Sequence, residues 1–154
     1  MVEEFMKSNL IYLLIGIPGS GKTFYRENYF MKLAYLSCDE IREQVFGLQR
    51  SFEIRQKVRT ILQNSILDLS IQEIDFVIDS TYFNKVYERL FLFEHCPKHK
   101  IIAVYIKTPL QKAILQNNLR ESHRVISQEM IEKFNNEIEP PTNTELFFDI
   151  QVIE

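Results

Sequence analysis

The sequence predicts an α/β fold, a parallel sheet of about five strands with helices packed on both faces. Three observations carry this expectation. Short runs that are apolar throughout, rather than alternating, recur along the chain, and such runs mark strands buried on both sides. Between them lie segments with apolar residues at three- and four-residue steps, the period of amphipathic helices. Strand-like and helix-like segments alternate, which gives parallel sheets with right-handed crossovers.

Taken in order, Leu10-Ile11-Tyr12-Leu13-Leu14-Ile15 reads as the first strand, closed by Gly16. A helix is expected from Phe24 to about Phe30, then a short strand Ala34-Tyr35-Leu36-Ser37. The stretch Ser37-Cys38-Asp39-Glu40-Ile41-Arg42 opens another helix. Ile54, Val58, Ile61, Leu62, Ile66 and Leu69 trace a long amphipathic helix. Asp75-Phe76-Val77-Ile78-Asp79 and Ile101-Ile102-Ala103-Val104-Tyr105-Ile106 are two further buried strands. His95-Cys96-Pro97-Lys98-His99 between them reads as a polar turn, since no second ligand cluster completes a tetrahedral metal site. Thr108-Pro109 reads as an N-cap followed by proline at the first helical position, leading through Leu110, Ala113 and Ile114. Ser127 caps a helix bearing Met130, Ile131, Phe134 and Ile138, which Pro140-Pro141 stops. Phe147 to Ile153 is the last strand.

A length of 154 residues fits one domain, 1–154, with a core that needs no staples. The 45% hydrophobic and 25% charged fractions are ordinary for a globular protein. Cys38 and Cys96 are too few and too far apart for a disulfide framework and read as buried or half-buried thiols. The net charge of −3 argues against a broad basic coat for nucleic acid but allows a local basic site. No apolar run is long enough to cross a bilayer, and Glu3 and Glu4 stand where a signal peptide has a basic start. The expectation is a cytoplasmic protein without a membrane partner.

Three of the four glycines fall in Gly16-Ile17-Pro18-Gly19-Ser20-Gly21-Lys22-Thr23. This is the Walker A pattern G-x-x-x-x-G-K-[ST], set between a predicted strand and a predicted helix. Glycines let the backbone turn so that several N–H groups converge on one oxyanion, and the helix N-terminus adds its dipole. Lys22 is placed to reach the β- and γ-phosphates, and the Thr23 hydroxyl to ligate Mg²⁺. Asp79, ending a buried strand, is expected to support the same metal site.

The rest of the chemistry gathers at strand ends. Asp39 lies just past a strand, either as a carboxylate that takes a proton from an attacking hydroxyl or simply as a helix N-cap. Arg42, three residues on, shares its face and suits an anionic acceptor, or is a solvated charge. Arg120 and Arg124 flank Glu121-Ser122-His123 on a polar connection, a lid at about 118–127 that would close over a transferring phosphoryl group. Solvated loop charges are the plainer reading of both, and His123 reads as an exposed polar residue. Arg50, Arg55, Lys57 and Arg59 read as the outer face of the long helix, with an acceptor path as the other reading.

These motifs together resemble the small P-loop kinases typified by the 5′-hydroxyl polynucleotide kinase domain of phage and bacterial end-healing enzymes. The likeness runs through Gly16 to Thr23, Ser37 to Arg42, Ile78-Asp79-Ser80-Thr81, Asn117-Asn118-Leu119-Arg120, Arg124-Val125-Ile126-Ser127, Phe134 to Pro140 and the Phe148-Asp149 tail. The resemblance implies a three-layer P-loop NTPase kinase fold with a small lid, using ATP and Mg²⁺. It implies Asp39 as general base toward a 5′-hydroxyl, Arg42 on the neighbouring acceptor phosphate, and Arg120 on the donor phosphates. The chain departs from the family at Gln116, where an arginine often stands before Asn117, and at Tyr82, where an asparagine is common. The acceptor implied is an RNA or DNA 5′-hydroxyl end. A small-molecule kinase acting on a nucleoside, sugar or antibiotic is the first rival, and a nucleotide-binding ATPase or switch that transfers nothing is the second.

Overall fold

The computed structural model describes residues 9–154; the acidic start at Glu3 and Glu4 lies outside them. Five strands, β1 (Leu10–Ile15), β2 (Ala34–Ser37), β3 (Phe76–Asp79), β4 (Lys100–Ile106) and β5 (Asp149–Ile153), form one sheet in the order β2-β3-β1-β4-β5. Every neighbouring pair is parallel. Six α-helices accompany them among the described residues: α1 (Lys22–Tyr29), α2 (Cys38–Phe46), α3 (Phe52–Ile71), α4 (Val86–His95), α5 (Leu110–Asn118) and α6 (Gln128–Glu137). None is long and apolar enough to cross a membrane.

Successive residues of a strand face opposite sides of the sheet, and the apolar strands use both. Ile11, Leu13, Ile15, Phe76 and Ile78 pack with Leu62 and Ile66 of α3 and Leu92 of α4. Leu14, Val77, Ile102 and Val104 pack on the other face, with Tyr25 of α1 and the following Phe30 and Leu33. A third cluster joins Ile17 to Ala113 and Ile114 of α5 and Ile131 of α6. The three-layer arrangement follows from that alternation.

Local chemistry sets the helix ends. Ser51 and Ser127 cap α3 and α6 by accepting from the N–H groups of Ile54 and Met130, at 3.1 and 3.2 Å. Ser37 caps α2 by accepting from Glu40 N–H at 3.4 Å, which leaves Asp39 inside the first turn and free of capping. Thr108 departs from expectation. The N-cap of α5 is Pro109, and the Thr108 hydroxyl instead donates to the Ser20 carbonyl at 2.8 Å. A loop carbonyl 88 residues away outcompeted the local cap.

The segment between α6 and β5 has little regular structure, and a buried ion pair fixes it. Arg89, fully buried on α4, meets Glu145 at 2.7 and 3.0 Å and donates to the carbonyls of Phe83 and Glu139 at 3.1 Å each. Removing one partner of such a pair strands the other charge away from water. Arg89→Ala is expected to lower the unfolding free energy by about 3–5 kcal/mol, read from the urea midpoint. The double variant Arg89→Met/Glu145→Leu is expected to recover much of that loss.

Candidate active site

Strand register levels the parts of the site. Ser37 of β2 stands beside Asp79 of β3, and Asp79 beside Leu14 of β1, so the three strands finish together at one edge of the sheet. The chain leaves β1 through α1 on one face and leaves β3 toward α4 on the other, because β2 and β4 lie on opposite sides of β1. Connections that diverge from adjacent strands open a crevice at their carboxyl ends.

The loop 16–23 occupies that crevice. Asn84, in the turn after β3, clasps Gly16 from both sides: its Oδ1 accepts from Gly16 N–H at 3.2 Å, and its Nδ2 donates to Gly16 O at 2.9 Å. Gly19 has φ +79°, and a Cβ there would stand 2.2 Å from the Ala113 carbonyl. The Lys22 ammonium donates to the carbonyls of Gly16 and Ile17 at 2.9 and 3.0 Å. Burial pulls its pKa down to about 8, against the Asp79 charge that acts to raise it. The Thr23 hydroxyl donates to Asp79 Oδ2 at 2.8 Å, and Arg26 Nε donates to the same oxygen at 3.2 Å.

Asp39, Arg42, Arg120 and Arg124 also converge. Asp39 takes Arg42 Nη1 on one oxygen at 2.9 Å and Arg120 Nη2 on the other at 2.8 Å. Burial acts to raise the Asp39 carboxyl, but the Arg42 hydrogen bond and the Arg120 charge outweigh it, holding the pKa below its ordinary value. Arg120 also donates to the Arg124 carbonyl at 2.9 Å. Arg124 makes a two-point contact with Glu43 of α2, at 2.6 and 2.7 Å. His123 joins the same carboxylate at 2.8 Å and is half-buried rather than exposed.

Pro18 to Thr23, Asp39, Arg42, Asp79, Arg120 and Arg124 therefore line one cleft of about 1040 Å³. Gly16 and Ile17 stand behind the loop, the first held by Asn84 and the second packed into the α5–α6 cluster. Asn84, Thr108 and Glu43 were not anticipated as parts of the site. Each acts on a residue remote in sequence, and no spacing rule marks such a partner. The basic residues after α2 divide: Arg50 and Arg55 line the cleft, whereas Lys57 pairs with Glu53 at 3.0 Å on the outside of α3.

The family model of an AAA domain matches residues 11–141. No curated protein matches the chain. Among solved structures, a chain of the Pnkp1/Rnl/Hen1 RNA repair complex is similar with TM-score 0.73 and 16% identity, over 88% of this chain and 45% of that one. This chain thus spans less than half of that relative. A putative kinase from Chloroflexus aurantiacus J-10-fl gives TM-score 0.72 and 16% identity, over 96% and 86% of the two chains. A gluconokinase from Sinorhizobium meliloti 1021 gives TM-score 0.61 and 15% identity, over 96% and 84%. Likeness at such identity concerns the fold.

The buried ammonium has a measurable consequence. Its folded-state pKa of about 8 lies below the ordinary 10.5, so the unfolded chain binds this proton more tightly. The resulting loss of stability is complete below about pH 8 and is relieved as pH rises toward 10.5. Between pH 7 and pH 10, the stability difference between Lys22→Met and the parent is expected to move by about 2–3 kcal/mol in the parent's favour, measured as urea midpoints. A difference that stays flat over that range contradicts the buried-cation description.

Proposed function

The chain belongs to the AAA domain family, and on that footing we propose that it is an ATP-dependent phosphotransferase whose acceptor is the 5′-hydroxyl end of RNA or DNA. The observation that carries the proposal is Asp39, set at the end of β2 between Arg42 and Arg120 in the same cleft as the loop 16–23. A phosphate-binding loop alone serves hydrolysis equally well. A carboxylate with an arginine on either side, in the same cleft as that loop, has the makings of a place for a hydroxyl that sits beside a phosphate.

In the proposed reaction the loop N–H groups and Lys22 hold the donor phosphates. Asp39 is ionised at neutral pH and accepts the proton of the attacking hydroxyl, while Arg42 binds the phosphate next to it. Arg120 gives up Asp39 and turns to the migrating phosphoryl group, with Arg124 anchoring the lid segment, about 118–127, through Glu43. Transfer of this kind depends on positioning and charge neutralisation far more than on covalent chemistry.

A divalent cation suits the same place. Thr23 and Asp79 offer hard oxygen donors 2.8 Å apart, and Mg²⁺ takes one or two protein oxygens and draws its remaining ligands from phosphate and water. It would supply neutralisation of the β- and γ-phosphate charge. Among the described residues no group of three or more His, Cys, Asp or Glu is gathered to cage a metal without such help.

Two similar structures favour different acceptors. The RNA repair complex supports a polynucleotide end, and the gluconokinase, matched over most of both chains, supports a small hydroxyl compound. The Asp39–Arg42 pair supports the polynucleotide end, because an arginine next to the proposed base suits a phosphate beside the hydroxyl and has no use on a neutral sugar; an anionic small acceptor is told apart by the transfer test.

The test is transfer from γ-labelled ATP to 5′-hydroxyl RNA and DNA oligonucleotides beside a panel of small hydroxyl acceptors. Label on the oligonucleotides is expected; label on a small acceptor alone overturns the polynucleotide reading. Asp39→Ala is expected to slow transfer by about 10²–10⁴-fold with nucleotide affinity little changed. ATP hydrolysis surviving intact in Asp39→Ala, without transfer by the parent, identifies a hydrolase instead.

A further inference from the structure

Six of the chain's eight arginines hold a carboxylate: Arg26 on Asp79, Arg42 and Arg120 on Asp39, Arg59 on Glu88, Arg89 on Glu145, and Arg124 on Glu43. Arg50 and Arg55 hold none among the described residues. Both line the cleft. Arg55 also borders, with Arg42 and Tyr82, a shallower groove of about 300 Å³ that shares its wall with the cleft. In a chain with more acidic than basic residues, the two arginines without a carboxylate have gathered in one place.

Their surroundings favour an anion from outside. Arg50 donates only to a backbone carbonyl, that of His123, so no carboxylate is bonded to it, and Asp39 and Glu43 act on its charge only from further away. Burial and then the Arg42 charge pull the Arg50 guanidinium below its ordinary value, against the Asp39 and Glu43 charges that act to raise it. Arg55 has no hydrogen-bonded protein partner among the described residues, and its guanidinium stands 6.0 Å from the Phe52 ring. Guanidinium forks match phosphate oxygens two at a time. The neighbouring cations are excluded by their own contacts: Lys57 faces outward onto Glu53, and Arg59 lies between Glu88 and the Tyr82 ring.

We infer that Arg50 and Arg55 form a second phosphate subsite beyond Arg42, for an acceptor strand that carries at least two phosphates past its reacting hydroxyl. The inference rests on the polynucleotide reading and deepens it. It requires that the enzyme distinguish a strand from a single nucleotide. A small acceptor bearing one phosphate would leave Arg50 and Arg55 empty.

The experiment compares three 5′-hydroxyl acceptors with ATP as donor: a nucleoside 3′-monophosphate, a dinucleotide with a 3′-phosphate, and a decamer. The kcat/KM ratio of the two-phosphate to the one-phosphate acceptor is expected to be about 10–100, the worth of a charged hydrogen-bonded contact. Arg50→Gln and Arg55→Gln should each pull that ratio toward one, with Arg55→Lys restoring part of it. Lys57→Gln, on the outer face of the same helix, should leave it at the parent value. For the decamer, each arginine variant should make the slope of log affinity against log salt shallower by about 0.7. Thermal unfolding midpoints verify that the variants are folded. Arg50→Gln can also loosen its contact with His123, so Arg55→Gln decides where the two disagree. A parent ratio near one, or an unchanged ratio in Arg55→Gln, overturns the second subsite while decamer phosphorylation leaves the wider reading standing. Label on neutral small acceptors and on no oligonucleotide overturns both.

Discussion

The buried ammonium of Lys22 is the constraint around which the cleft is arranged. A lysine with 8% exposure loses most of its hydration, and only inward-pointing carbonyls and nearby carboxylates make its charge tolerable. Gly16 and Ile17 supply the carbonyls, which obliges the loop to turn back on itself and explains the left-handed backbone at Gly19 and Gly21. The Gly16 carbonyl then serves two donors, Lys22 and Asn84, the full capacity of its two lone pairs. Asp79 offsets the charge from one side while also holding Thr23 and Arg26. A loop so tied has few alternative conformations, and its N–H groups are fixed in advance of any ligand.

Beyond the loop, the site is a distribution of cations among carboxylates. Asp39 serves Arg42 and Arg120, and Glu43 serves Arg124 and His123. Both carboxylates lie on α2, and the ion pairs of Arg120 and Arg124 with α2 pass through them. The connection between α5 and α6 is thereby joined to α2 by guanidinium–carboxylate pairs, a geometry that phosphate oxygens also suit. Whole-chain charge hides this arrangement: the molecule is acidic, and its cleft is not.

The layers of the fold were legible because apolar strands and amphipathic helices each have a period that sequence displays directly. Four of the five strands lay within a residue of where their apolar runs placed them. The last began later, at Asp149, with Phe147 turned against the Phe93 ring instead. The loop was legible because its spacing is a mechanical requirement of phosphate binding, and the meeting of Asp39, Arg42 and Arg120 because the helix after β2 and the connection after α5 both come to the strand ends. The Arg89–Glu145 pair, the Asn84 clasp and the Glu43 hub were not. Each joins a side chain to a partner more than fifty residues away, where residue type says only that a partner is needed. Thr108 shows the same limit, since a correct local rule for capping lost to a tertiary hydrogen bond. Arg55 and Lys57 differ only in which way α3 turns them.

The level strand ends make the cleft sensitive to chain length in a way that residue identity does not express. Asp79 shares the α1 face of the sheet with Val77, two residues before it, which is why it meets Thr23 and Arg26. Deleting or inserting one residue within β3 would exchange the two faces of every later side chain in the strand. With the change just after Phe76, Ile78 would lose its packing against α3 and α4, and Asp79 would turn away from the loop. Substitutions at these positions change one contact at a time. A single-codon insertion or deletion in this strand would instead dismantle core and site together, so natural length variation in such a protein belongs in its connections and not in β3.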